Sequence, residues 1–327
     1  MAKATRGQRI LIIGLLTISL MTPPIIMGIA GQSGLASAFV YGGVIAIVAA
    51  FYGLRLAVIL SVVAGVAGTI SALLNPHPIA GAIFFGLFTG ACALSAKQGL
   101  HSPALMVPIF ISFVLAAPPE VVGMSDVPAA FMTGAVLTLG GLWATGSARL
   151  LLGNRHGDGD RQRLTTRAAL LYAVTMAVVL GIATWGVLTY AKFHQGAWLL
   201  LTLIIVLQPS AHDTLTRSLQ RLGGTIIGGV FAFVFILAGV QSTLALVIGG
   251  VILFAALTVR YALKRPYWEY VTVLTPAAIL LNTPGLDAIR VAEDRVAFTI
   301  IATVVGVTIA LALKVLITQK APAEETT

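Results

Sequence analysis

Long apolar runs separated by short polar breaks recur from one end of the chain to the other. Twelve can be marked off, at 10 to 28, 35 to 53, 56 to 74, 78 to 95, 103 to 118, 128 to 151, 166 to 190, 196 to 209, 217 to 239, 243 to 262, 267 to 283 and 296 to 317. A helix of roughly 20 apolar residues crosses about 30 Å of hydrocarbon, so the pattern predicts an all-α polytopic membrane protein of about twelve transmembrane helices. The eighth run, GAWLLLTLIIVLQP, is short for a full crossing. It reads as a half-helix continued by the polar turn Gln208-Pro209-Ser210-Ala211-His212-Asp213, with Asp213 or Thr214 capping the helix that follows.

Composition turns this pattern into a class. Of 327 residues, 58% are hydrophobic and only 9% charged, whereas a soluble surface needs roughly 25% charged residues. A soluble protein is thereby excluded. The 34 Gly and 14 Pro fit membrane helices, which tolerate both. A lone cysteine, Cys92, excludes an internal disulfide and any cysteine-based metal site. The opening MAKATRGQR with its apolar follow-on has the form of a signal peptide, but apolar character continues past Pro23 and Pro24, so it reads as the first span.

The net charge of +9 is then explained by topology. Threading the chain through twelve spans puts 17 of the 20 basic residues on one side and leaves only Lys192, Arg290 and Arg295 on the other. The positive-inside rule makes the first side cytoplasmic, with both termini there. No nucleic-acid partner is needed to account for the basicity; the partner is the lipid bilayer.

The chain also contains itself twice. Gly68-Thr69 in the third span matches Gly224-Thr225 in the ninth, and Pro103, Pro108 and Pro118 match Pro266, Pro276 and Pro284 at similar offsets. Six spans per half make the repeats parallel, related by an axis along the membrane normal. The division is a first repeat at 1–151, a cytoplasmic linker at 152–165 and a second repeat with a short polar tail at 166–327. The linker's His156, Asp158 and Asp160 are a charged connector and make no coordination sphere, so neither metal nor cofactor is expected.

Candidate chemistry gathers where the helices break. Pro108 and Pro276 each interrupt an apolar span and free backbone carbonyls that protein, water or ligand must satisfy. Asp213, Arg217 and Arg221 follow one another at i, i+4 spacing on one face of the ninth helix. Asp213 and Arg217 form an intrahelical pair, which leaves Arg221, a turn deeper, in need of an anion or a distant carboxylate; snorkelling to headgroups is the plainer alternative. Glu269, beside Tyr267, Trp268 and Tyr270, is placed to pair with Arg221 or Arg217 and to release it on protonation. An aromatic interface belt with a solvated Glu269 fits the same residues. Gly224, Thr225 and Gly228, with Gly68 and Thr69 in the first half, make smooth faces for close helix packing. Outside, Asp294 and Arg295 belong to a charged cluster before the last span.

The block RSLQRLGGTIIGGVFAFVF resembles the membrane module of the fusaric acid resistance and aromatic acid exporter family, as do the segments flanking it. The family's Arg-x-x-Gly-Thr-x-x-Gly pattern is met at Arg221, Gly224, Thr225 and Gly228, and its later Arg and Gly at Arg295 and Gly306. The likeness is clear over about 196 to 316; in the first half Gly65 stands where the Arg falls. It implies export of small, chiefly aromatic, carboxylic anions across a bacterial inner membrane, with a homo-oligomer or a periplasmic adaptor as the open partner question. Arg221, Arg217, Gln208, Trp268, Pro276 and Pro108 are the expected substrate-binding residues, and Glu269, Asp213 and His212 the expected coupling residues. Trp185, Trp198, Phe231 and Phe233 are further aromatic candidates, with lipid contact or packing as the alternative. No nucleotide-binding loop, zinc-protease motif or nucleophile with a base is present, so an enzyme is not expected. Passive conduction of organic anions remains the alternative to coupled export, since no histidine or carboxylate lies at mid-membrane.

Overall fold

The computed structural model describes residues 6–152, 163–190, 194–209, 211–237, 242–263, 265–282, 296–309 and 311. The first half comprises α1 (Arg6–Ile29), α2 (Ser33–Ala50), α3 (Leu54–Leu74), α4 (Pro78–Leu94), α5 (His101–Ala116) and α6 (Asp126–Leu152), with a 3-10 turn (Ser95–Gln98) after α4. The second comprises α7 (Thr166–Tyr190), α8 (His194–Val206), α9 (Ala211–Leu237), α10 (Ser242–Leu257), α11 (Tyr267–Asn282) and α12 (Val296–Ile309), with a π turn (Thr258–Ala262) after α10. No strand occurs among the described residues, and each of the twelve apolar runs carries a helix.

Among the described residues six helices, α1 to α4, α6 and α7, contain stretches long and apolar enough to cross a membrane; α5, α8, α10 and α12 hold shorter apolar stretches. The helix exteriors carry large apolar side chains such as Leu11, Ile18, Val66, Leu87, Phe131 and Ile182, while the interior mixes many alanines with buried large residues such as Phe85, Ile111 and Leu180. That exterior is what lipid as solvent demands, because an apolar outer surface is already matched to its surroundings. The fold is that of a multi-pass membrane protein.

Helices end where the chain can turn cheaply. Gly99 follows the 3-10 turn at φ 70°, a left-handed conformation that favours glycine, and donates to Ala96 O at 3.0 Å. Pro78 opens α4 at a position where its missing N–H costs nothing. Asn75, just past α3, donates to Leu115 O at 2.7 Å and so satisfies a carbonyl at the end of α5.

Packing in the first half is knit by small residues. α2 and α3 both lie on α6. Gly42 meets the Leu137 carbonyl, Gly140 the Phe39 carbonyl, and Gly65 meets Thr138 and the Gly134 carbonyl, so closely that no Cβ would fit at any of the three. Between the halves, α4 runs along α7, where a Cβ on Gly86 would lie 2.5 Å from Ala177 O and one on Gly90 would lie 2.9 Å from Ala173 O. The halves also meet where α5 packs on α8 and where α1 lies against α10 and its π turn, with Gly14 facing the Phe254 ring.

Candidate functional site

α9 is built with its faces reversed relative to a soluble helix. Thr214, Ser218, Arg221, Gly224, Thr225, Gly228, Gly229 and Ala232 are buried, at the three- and four-residue steps of a single stripe. Leu215, Leu219, Ile226, Ile227, Val230, Phe231, Phe233 and Val234 are exposed. Small and polar residues thus face the protein while the apolar ones face outward, and one full charge, Arg221, is carried inside.

The stripe is shaped to its neighbours. A Cβ on Gly224 would lie 2.7 Å from Trp268 O of α11, and one on Gly228 would lie 2.5 Å from Thr272 O. Thr272 is four residues before Pro276, so its carbonyl lacks the helical N–H that proline cannot supply. Gly228 lets α9 close on that carbonyl, and the ring of Pro276 stands beside it. On the other side Gly229 faces Val296 of α12, and Gly306 of α12 packs against Val206 of α8 near Ser218.

The start of α9 is held by side chain to backbone bonds. Thr214 Oγ1 accepts from Gln208 N at 3.0 Å and donates to Gln208 O at 3.2 Å, which fastens the turn after α8. Gln208 itself donates through Nε2 to Ile205 O at 2.8 Å. The helix begins at Ala211, a little earlier than Asp213 or Thr214, so Asp213 sits within the first turn and Thr214 acts from inside the helix. Here the back-bond of Thr214 to the turn replaces the expected cap.

Arg221 lies ten residues into α9, about 15 Å along its axis. It is 2% exposed, and its Nε has no hydrogen-bond partner. Its Nη1 donates to the hydroxyl of Tyr267, the first residue of α11, over a long 3.4 Å. One turn before, the Arg217 guanidinium stands 4.6 Å over the ring of the same tyrosine. Arg217 also feels the repulsion of Arg260 in the π turn and the attraction of Asp213. One turn deeper than Arg221, Thr225 Oγ1 is buried without a partner. Tyr267 therefore joins two arginines, and a surplus of donors collects at Arg221.

Glu269 is not part of this arrangement. Its carboxylate accepts from Arg265 Nε at 2.9 Å, four residues earlier, and this is the one salt bridge among the described residues. The expected partnership with Arg221 or Arg217 is replaced by a local one, because Arg265 reaches Glu269 within one turn of chain. Trp268 is likewise turned away: its side chain is exposed, and only its carbonyl meets α9. Pro108 is buried in α5, which packs on α2, α3, α4 and α8, whereas Pro276 stands at the α9 seam. Gly68 and Thr69 of α3 face α6, against Leu137 and Gly134. Trp198 is buried edge-on to Phe113 at 4.9 Å, while Trp185, Phe231 and Phe233 are exposed. Asp294, Arg295, the His212 side chain and most of the linker, with His156, Asp158 and Asp160, lie outside the described residues. No group of residues able to hold a metal ion occurs among the described residues.

Tyr267 is the functional candidate that sequence reading placed only in an aromatic belt. Its signal in the sequence is weak, since a tyrosine beside a tryptophan at a span end is ordinary in membrane proteins.

The family match falls on the same half of the chain. Residues 180–309 match the family model described as Fusaric acid resistance protein-like. Over 160 residues the chain is 32% identical to the Inner membrane protein YccS of Escherichia coli (strain K12), a match covering 46% of this chain and 21% of that protein. The match thus takes in about a fifth of the length of this curated relative. No solved structure matches.

Proposed function

From the match of residues 180–309 to the family model described as Fusaric acid resistance protein-like, we propose that the chain is an inner-membrane secondary transporter that exports small organic anions, aromatic carboxylates foremost. The observation that carries the reading is Arg221. A buried guanidinium with an unpartnered Nε and one long bond to a neutral hydroxyl is costly unless a ligand completes it. A carboxylate is the natural complement, because its two oxygens match the planar fork of arginine. Location in an inner membrane follows the relative's printed name, and the long apolar helices support it.

The reading takes the twelve helices as two parallel six-helix halves with both termini in the cytoplasm. Exchanging the halves turns the pairing of α4 with α7 into that of α10 with α1, and both are contacts of this fold. It likewise carries α3 with α5 into α9 with α11, and α4 with α5 into α10 with α11, which also pack together. Two halves related in this way can rock about a site held between helices. Proton coupling through exchange of Glu269 with Arg221 is not part of the reading, because Arg265 already holds that carboxylate.

The test is accumulation of labelled benzoate in cells producing the wild type or Arg221→Ala, with and without a protonophore. Export predicts internal label below its passive distribution in wild-type cells only, restored by the protonophore or by the substitution. Label that merely equilibrates faster, with the protonophore acting only through membrane potential, makes the protein a passive channel instead.

A further inference from the structure

We propose that Tyr267 is the specificity-determining residue of the Arg221 site: its hydroxyl donates to the second oxygen of a bound carboxylate and selects oxyanions over spherical halide ions. The proposal rests on the reading of Arg221 as the anion site.

The argument is one of donors without acceptors. Arginine has donors only, whereas a tyrosine hydroxyl has one donor and can also accept. Facing Arg221 Nη1, the Tyr267 oxygen serves as acceptor, and among the described residues its own O–H has no acceptor. Arg221 Nε–H has no acceptor either. Two polar hydrogens thus stand at one place with nothing to receive them, and the bond already made is 3.4 Å long against the usual 2.9 to 3.0 Å. A carboxylate replaces that weak contact with two charge-assisted bonds, one oxygen on the Arg221 edge and the other on the tyrosine O–H. The tyrosine then changes from acceptor to donor without leaving its place.

What keeps it in place is also visible. The ring lies under Arg217, so the hydroxyl is aimed from a face that a cation already holds. Tyr267 opens α11, next to the chain that joins it to the π turn. A halide ion, with no directional lone pairs to divide between two donors, gains less from the hydroxyl than a carboxylate does. A site that hydrogen-bonds a particular group rejects ligands lacking it, because its own donors are then left unpaired.

The experiment compares fluxes of labelled benzoate and labelled iodide into proteoliposomes, above empty vesicles, for the wild type, Tyr267→Phe and Arg221→Ala. Thermal unfolding of each protein in detergent runs beside it. Tyr267→Phe keeps the ring for Arg217 and removes only the hydroxyl. The expected result is a benzoate KM raised about tenfold with little change in maximal rate, iodide flux no lower than in wild type, and an unchanged unfolding midpoint. An unaltered benzoate KM, or a parallel fall in both fluxes, overturns the proposal. Wild-type benzoate flux in Arg221→Ala overturns the reading of Arg221 as the anion site, and wild-type benzoate flux no greater than in empty vesicles overturns the transport reading, so the failures are told apart.

Discussion

α3 and α9 carry the same Gly-Thr step, Gly68-Thr69 in one and Gly224-Thr225 in the other, and they part three residues earlier, at Gly65 and Arg221. In α3 that position is closed. Gly65 is pressed against Thr138 and the Gly134 carbonyl, and Thr69 Oγ1 donates back to Gly65 O at 3.1 Å. In α9 the same position holds a buried guanidinium, and the Thr225 hydroxyl has no partner. One packing design therefore yields a sealed seam in the first half and a seam with unspent hydrogen-bonding capacity in the second. The difference teaches that the glycines are about approach in both halves, while unpartnered buried donors at these matched positions occur in only one of the two seams.

If the first seam is sealed, filling it is the most damaging change available. Gly65→Arg should leave no folded protein after detergent extraction. Gly65→Ala, whose Cβ must displace Thr138 and push on backbone, should lose about 3 kcal/mol, read as a lower unfolding midpoint. A Gly65→Ala protein as stable as the wild type would erase the contrast between the two seams.

Arg221→Met asks the opposite of the second seam. Benzoate transport should fall by about 100-fold, the usual loss when a buried charge contact is removed, while the unfolding midpoint holds or rises because an unpaired buried charge is gone. A protein that loses stability together with transport would make Arg221 a packing residue like Gly65.

Gly228→Ala probes the feature the halves share. The added methyl would stand 2.5 Å from Thr272 O and 2.7 Å from Thr275 Cβ. A loss of about 1 to 3 kcal/mol by thermal unfolding is expected, with benzoate KM little altered. The smallest effect is expected at Glu269→Gln. Its pair with Arg265 is partly exposed, so the change should cost under about 1 kcal/mol and leave the pH profile of transport where it was. A displaced profile would restore Glu269 to the coupling role.

Much of the fold is legible from residue order alone. Every apolar run became a helix, and even the short eighth run with its polar turn stands as α8 followed by a tied loop. The site is legible only in part. Arg221 declares itself as a charge inside an apolar helix, and Gly224, Thr225 and Gly228 as a close-packing stripe. Glu269 suited two distant arginines in residue type and depth as well as a solvated boundary, and in the structure it pairs with the nearer Arg265. For Trp268, a one-residue step along α11 decides whether an aromatic faces the seam or the outside.

The physical reason lies in the range of the forces. In lipid no water satisfies the backbone, so each apolar segment must close its own hydrogen bonds as a helix; that choice is made within the segment and is written in its composition. Which side chain stands over Arg221 depends instead on how α11 lies on α9, and its contact residue, Tyr267, is 46 positions away. That crossing is set by Gly224 and Gly228 meeting the Trp268 and Thr272 carbonyls, a fit of surfaces that no local pattern contains. Helices, their number and the presence of an inner arginine come from the order of residues; the tyrosine that aims at it comes from packing.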